Sequence, residues 1–158
     1  RVVAGVAHSS DIAQVAVDFL QPDPELEAAL FTRLGQAGIS IDLISVFPDI
    51  KIFTVKEDTL SRVEEVLEDL KAPYRVTSGC AKVSVVGLGM RGIPGVMARM
   101  VQALKEKNIT ILQTADSNIS ISALIKQTDL IPAIKALHDH FGLGESAAQY
   151  TLAVNLKS

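Results

Sequence analysis

The fold is decided by residues 82–126, which read KVSVVGLGMRGIPGVMARMVQALKEKNITILQTADSNISISALIK. Runs of β-branched residues predict strands, and apolar residues at helical spacing predict a helix after the turn at Gly92–Gly95. Asp129 begins a further helix, which Gly142 ends. The predicted strands lie at 82–89, 109–114 and 119–126, and the first predicted helix lies at 96–107.

The first half of the chain predicts the same order of elements. Asp23 is a predicted N-cap, Pro24 suits the first helical position, and Gly38 is a predicted C-terminal stop. Asp58 or Thr59 is predicted to cap the second helix. The strands are predicted at 2–7, 12–20, 39–47, 50–56 and 74–78, with a turn at 8–11, and the helices at 25–37 and around 60–70.

An internal repeat joins the two halves. A shift of 70 residues without gaps superposes Val15 on Val85, Pro24 on Pro94 and Leu60 on Leu130, and it keeps turns and helix faces in phase. Each repeat then has the order βαββαβ, which is the ferredoxin-like pattern. The predicted fold class is α+β, with two units that each have an antiparallel sheet and helices on one face.

The boundaries of the repeats predict an insertion. Residues 11–80 form the first unit, and residues 1–10 with 81–145 form the second, so that the N-terminal strand closes the second sheet. The segment 146–158 is a C-terminal tail. A strand at 150–156 within that tail is the alternative way to close the second sheet.

Composition excludes several classes of function. The chain has 158 residues, 48% of them hydrophobic, a net charge of -3 and no Trp, which argues against a nucleic-acid binder. No apolar run approaches the roughly 20 residues that span a bilayer, so no membrane partner is expected. A single cysteine, Cys80, favours a reducing and therefore cytoplasmic compartment.

Motifs for catalysis or for cofactors are weak. Gly87–Gly92 matches the bare GxGxxG pattern, but an acidic residue is missing about 20 residues later, and the repeat predicts an antiparallel unit. His138 and His140 are two residues apart on a predicted helix, which is unsuited to a shared metal. We therefore expect no metal, no cofactor and no catalytic residue, and an inert thiol at Cys80.

The loop before the helix at 96–107 is the best candidate site. Helix N-termini attract carboxylates, and glycines let a ligand approach the backbone. An acidic side chain after the next strand could pair with an ammonium group, so the two features together suit a free amino acid. The alternative is an ordinary turn and an ordinary β-bend, which the spacing alone favours. The candidate residues are Met90, Arg91, Gly92, Pro94, Gly95, Val96, Asp116, Ser117 and Asn118.

Several of these motifs resemble a known family. The opening VAGVAHSSD (3–11), the segment VSVVGLGMRGIPG (83–95) and ISISAL (119–124) resemble the regulatory region of bacterial aspartokinases, a tandem pair of ACT domains. The resemblance covers about residues 1–143. The family's MRxxPGV loop is present at 90–96, whereas its STSE segment retains only the serine, at Ser117.

The resemblance implies an allosteric function. The chain would bind an end-product amino acid (lysine, threonine or diaminopimelate) at ACT interfaces and feedback-control the phosphorylation of aspartate by ATP. It would form a homodimer and act on an aspartokinase catalytic domain or subunit. That catalytic domain, with its ATP and Mg²⁺, would lie outside this chain, so the chain itself would not be an enzyme.

The first unit departs from the family pattern. The family's DxPG loop is present as Pro22–Glu25 without its glycine, and its Gln-Asn pair is replaced by Val46-Phe47. A complete effector site is therefore expected only in the second unit. Two alternatives stay open: a standalone ACT-pair sensor that serves a different enzyme or regulator, and a small ferredoxin-like hydrolase of the acylphosphatase type.

Overall fold

The structure, a computed structural model, describes residues 3–87 and 94–143. The chain divides into two compact units. The inserted unit is Asp11–Ser78, and the split unit combines the described residues up to Ser10 with those from Gly79 onward. The predicted tail at 146–158 and its alternative strand at 150–156 lie outside the described residues.

Strands and helices alternate in the predicted order, which confirms the α+β class. The elements are β1 (Val3–Asp18), α1 (Pro24–Gln36), β2 (Asp42–Val46), β3 (Ile50–Lys56), α2 (Leu60–Asp69), β4 (Tyr74–Gly87), α3 (Val96–Glu106), β5 (Gln113–Asp116), β6 (Ser120–Lys126) and α4 (Leu130–His140). In the inserted unit the strand order is β2-β3-β1, and in the split unit it is β4-β6-β5. All of these neighbouring pairs are antiparallel.

Each unit has its own hydrophobic core. In the inserted unit, Leu30 and Leu34 of α1 and Leu67 of α2 pack with Phe53 of the sheet. In the split unit, α3 and α4 pack on β4 and β6, and Val3 and Val6 of β1 belong to that same core. The first residues of the chain therefore contribute to the unit whose other elements begin some 70 residues later.

The predicted turn at 8–11 and the predicted break between the strands at 74–78 and 82–89 are wrong, because a strand runs through each. The predicted strands at 2–7 and 12–20 form one strand, β1, and those at 74–78 and 82–89 form one strand, β4. Asp11 (φ 57°) and Gly79 (φ 67°) are left-handed residues inside these strands. An isolated left-handed residue can lie within a strand without ending it, so neither the polar cluster at 8–11 nor Gly79 interrupts its strand.

Two other strands begin later than predicted. The strand predicted at 39–47 is observed as β2, which begins at Asp42. The strand predicted at 109–114 is observed as β5, which begins at Gln113. The amides of Ile39 and Ile109 instead donate to the carbonyls of Leu34 (3.0 Å) and Leu104 (3.1 Å) and so complete the preceding helix. Residues that follow a helix donate their amides to its last carbonyl groups. These residues then do not pair in the next strand, which is therefore shorter.

The predicted caps are confirmed at the first helix. At the second helix Thr59 is the N-cap residue, as predicted, but its side chain makes no capping hydrogen bond. The Asp23 carboxylate accepts the amide of Leu26 at 3.0 Å, and Pro24 is the first helical residue. Gly38 follows the helix with φ 71°. At α2, a 3₁₀ turn at Glu57–Thr59 precedes the helix, and the Thr59 hydroxyl donates to the Lys56 carbonyl at 2.8 Å.

The register of the repeat differs from the ungapped 70-residue shift. Phe53 and Ala123 are 70 residues apart, and they pair with Val15 and Val83. The structural counterpart of Val15 is therefore Val83, two residues before the Val85 that the ungapped shift predicts. Because the helices keep the 70-residue shift, the segment that leads into α3 is two residues longer than the segment that leads into α1.

Removal of the Asp23 cap should destabilise the chain. We expect Asp23→Ala to lower the free energy of unfolding by about 1 kcal/mol, because the Leu26 amide loses its acceptor. The matched control is Asp129→Ala. Asp129 precedes α4, and within residues 94–143 its carboxylate accepts no capping hydrogen bond. Urea unfolding measures both variants, and equal losses would contradict the assigned cap.

Candidate functional site

The end of β4, which leads into the predicted loop, lies at the same end of the split unit's sheet as the β5–β6 turn. β4 ends at Gly87, whose amide donates to the carbonyl of Ile119 at 2.8 Å. On β6, Ile121 pairs both with Val85 of β4 and with Asp116 of β5. The entrance to the 88–93 segment and the connection between β5 and β6 therefore share this end of the sheet.

The β5–β6 turn is fixed by hydrogen bonds within itself. The Ser117 amide donates to the Ser120 carbonyl at 2.8 Å, and the Ser117 hydroxyl accepts the Ser120 amide at 3.1 Å and lies 3.1 Å from the Ser120 hydroxyl. Serine commonly organises a turn in this way. Asp116 is the last residue of β5 rather than a loop residue, and the side chains of Asp116 and Asn118 are exposed.

The N-terminus of α3 differs chemically from that of α1. Its N-cap is Gly95, with φ 85°, and the Gly95 carbonyl accepts the Arg99 amide at 2.9 Å. Among the described residues, no side chain caps this helix, and its first turn holds no acidic residue. The first N–H groups of α3 are thus presented by a residue without a side chain, which favours the approach of a carboxylate.

The predicted site residues are distributed as follows. Pro94 and Gly95 are exposed at the start of α3, whereas Val96 is only 4% exposed and belongs to the core, where it fixes the helix rather than facing solvent. Met90, Arg91 and Gly92 lie outside the described residues. The binding role of all nine candidates stays a prediction.

Sequence reasoning missed the group that joins the first turn of α3 to α4. The Arg99 guanidinium donates to the carbonyl of His140 at 3.2 Å and lies 4.4 Å from the centre of the Phe141 ring. Both contacts sit at the C-terminus of α4, where a cation is favourable. Arg99 thus anchors α3 to α4. Although it lies close to the predicted site in sequence, its guanidinium contacts the protein itself.

Two titratable groups outside this end have shifted pKa values. The hydrogen bond that Tyr74 donates to Glu64 (2.8 Å) raises the pKa of Tyr74 to about 12, and burial and the charges of Glu64 and Glu68 act in the same direction. Burial lowers the pKa of His8, which favours its neutral form. Tyr74 is therefore a neutral hydrogen-bond donor at pH 7 and not a base.

Within the parts of the chain that the structure describes, no three His, Cys, Asp or Glu side chains form a group that could hold a metal ion. An open groove of about 450 Å³ beside Val101, Lys105 and Ile109 lies at the C-terminal end of α3, away from the predicted site. No helix in residues 3–87 and 94–143 is long and apolar enough to cross a membrane.

Comparison with known proteins places this architecture in a family. Residues 75–139 match the family model of the ACT domain. The regulatory subunit of aspartate kinase from Thermus thermophilus is 31% identical, with a TM-score of 0.81 over 89% of this chain and 99% of that one. The chain belongs to the family of aspartokinase regulatory ACT regions. This confirms the resemblance that the motifs at 3–11, 83–95 and 119–124 predicted.

Two further relatives define how much of an aspartokinase the chain represents. Aspartokinase 1 of Bacillus subtilis (strain 168) is 37% identical over 145 residues, which is 92% of this chain but 36% of that protein. A structure of aspartokinase alpha and beta subunits contains a chain that is 28% identical, with a TM-score of 0.82 over 89% of this chain and 99% of that one. The chain thus spans about a third of the length of the curated relatives it matches.

The left-handed N-cap of α3 gives a test by substitution. A Cβ atom added to Gly95 or to Gly35 would meet no heavy atom within 4 Å, so alanine fits in space at both sites. Gly95→Ala should nevertheless lower the free energy of unfolding by about 1–2 kcal/mol, because alanine resists positive φ. Gly35→Ala, inside α1, should raise it by up to about 1 kcal/mol. Urea unfolding decides, and a stabilising Gly95→Ala would contradict the assigned conformation.

Proposed function

We propose that this chain is the effector-binding part of an aspartokinase and that the split unit binds an end-product amino acid. The observation that carries the proposal is the presence of two complementary chemistries in the split unit. The glycine-capped N-terminus of α3 suits a carboxylate, and Asp116 at the end of β5 suits an ammonium group. Family membership supports the same assignment.

The wider function follows as part of this proposal. Lysine, threonine or diaminopimelate is the expected effector, and its binding would restrain the phosphorylation of aspartate by ATP. The catalytic domain or subunit would supply ATP, Mg²⁺ and the reacting groups, so the chain would act as a regulator in the cytoplasm and need no cofactor of its own. A homodimer that covers the effector between two copies of the chain is the expected assembly.

Thermal unfolding tests effector binding directly. Lysine, threonine, methionine and meso-diaminopimelate are each added to the purified chain. A ligand at about 100 times its dissociation constant should stabilise the native state by about 2.7 kcal/mol. If none of the four raises the melting temperature, the proposal loses its main support.

A pair of variants then locates the site. Asp116→Ala should weaken the binding of the stabilising amino acid while the unliganded melting temperature changes little. Asp49→Ala is the matched control, since Asp49 is an exposed aspartate in the corresponding turn of the inserted unit. Equal affinity of the Asp116→Ala variant and the unsubstituted chain would remove Asp116 from the site.

A further inference from the structure

A buried lysine distinguishes the inserted unit. Lys51 lies on β3, and only 3% of its surface is exposed. A buried ammonium group is unfavourable unless acceptors surround it. The position itself does not require charge, because the corresponding residue of the split unit is Ile121, which is also buried. Packing of the core therefore does not account for the charged group at Lys51.

The Lys51 ammonium is enclosed by three acceptors and a ring. It forms an ion pair with Glu27 at 2.9 Å, donates to the carbonyl of Pro48 at 3.3 Å and also donates to the carbonyl of Phe47. It lies 4.9 Å from the centre of the Phe19 ring. Because an ammonium group has three donors, its hydrogen-bonding capacity is filled from within the unit.

These partners come from the elements that would build an effector site. Phe19 follows the end of β1, Phe47 and Pro48 form the β2–β3 turn, and Glu27 lies in the first turn of α1. They correspond to the end of β4, the β5–β6 turn and the first turn of α3. The Lys51 ammonium thus lies between a strand end, a turn and a helix N-terminus.

The helix N-terminus of the inserted unit is also occupied. The Asp23 carboxylate accepts the Leu26 amide at 3.0 Å, and Glu25 and Glu27 lie in the first turn of α1. A carboxylate ligand would meet these negative charges. In the split unit Gly95 is the N-cap. Under the 70-residue shift, Gly95 and Met97 stand in the places of Glu25 and Glu27, so the first turn of α3 holds no acidic residue.

We propose that the inserted unit is closed to free amino acids. Lys51 supplies the ammonium group and Asp23 the carboxylate that such a ligand would otherwise bring. Glu27 balances the charge of Lys51. The cavity left by removing the Lys51 side chain is then a site for a small primary alkylammonium ion. Resting on the proposed function, it follows that each chain binds one amino acid, in the split unit.

Chemical rescue tests the closed site without any effector. Lys51→Ala should lower the melting temperature by about 5 °C, because two carbonyls and a carboxylate lose their donor. n-Propylammonium chloride replaces the missing atoms and should recover most of this loss. Tetramethylammonium chloride has no N–H donor and should recover none of it.

Two further variants control for packing and for salt. Lys56→Ala removes an exposed lysine from the same strand and should show no rescue by n-propylammonium. Lys51→Met keeps the apolar stem without the charge, so it tests the proposal even if Lys51→Ala does not fold. It should also be less stable than the unsubstituted chain and should not be rescued. A Lys51→Met variant of full stability, or a Lys51→Ala variant that folds without rescue, would overturn the proposal.

Titration calorimetry of the unsubstituted chain addresses stoichiometry, with lysine and threonine as probes. One site per chain is expected, and two sites per chain would overturn the proposal. If neither amino acid binds, the proposed function fails for those effectors, whereas the closed site is still decided by the rescue of Lys51→Ala. The two failures are therefore distinguishable.

Discussion

The first turn of every α-helix leaves backbone N–H groups without helical acceptors, and the two units of this chain meet that constraint in different ways. The inserted unit meets it from its own sequence, since the Asp23 carboxylate accepts the amide of Leu26. The split unit begins α3 with Gly95, and among the described residues no side chain caps that helix. The helix N-terminus is thus capped by a side chain in the inserted unit and begins at an exposed glycine in the split unit.

The strand ends and turns follow the same division. In the split unit, the Gly87 amide donates to the Ile119 carbonyl, which joins the end of β4 to the β5–β6 turn. In the inserted unit, the Phe19 amide donates to the backbone carbonyl of Asp49 at 2.7 Å in a comparable way, but the Lys51 ammonium occupies the space behind the turn. The two units therefore share their order of elements and differ in side chains, since the positions of Lys51 and Glu27 hold Ile121 and Met97 in the split unit.

Much of this architecture was predictable from local sequence. β3, the start of α3 and the helix stops at Gly38 and Gly142 follow from periodicity and from glycine, and they were predicted correctly. The family resemblance came from motifs in the same regions. The order of the elements was accessible because short-range patterns determine it.

The errors have a common physical origin in long-range pairing. Asp11 and Gly79 look like turn residues, yet the strands run through them, and no local signal distinguishes a bulge from a turn. The two-residue difference in the loop before α3 is visible only in the pairing of Val15 with Phe53 and of Val83 with Ala123. A buried lysine such as Lys51 was missed for the same reason, because its acceptors lie on two separate elements, α1 and the β2–β3 turn.

Amide hydrogen exchange, followed by NMR, tests the central claim most directly. The purified chain is compared with and without saturating lysine, threonine, methionine or meso-diaminopimelate. At least one of them should slow exchange at residues 95–99 and 116–121 and leave residues 23–27 and 46–51 unchanged. Protection at 23–27 and 46–51, or no change with any of the four amino acids, would contradict the account.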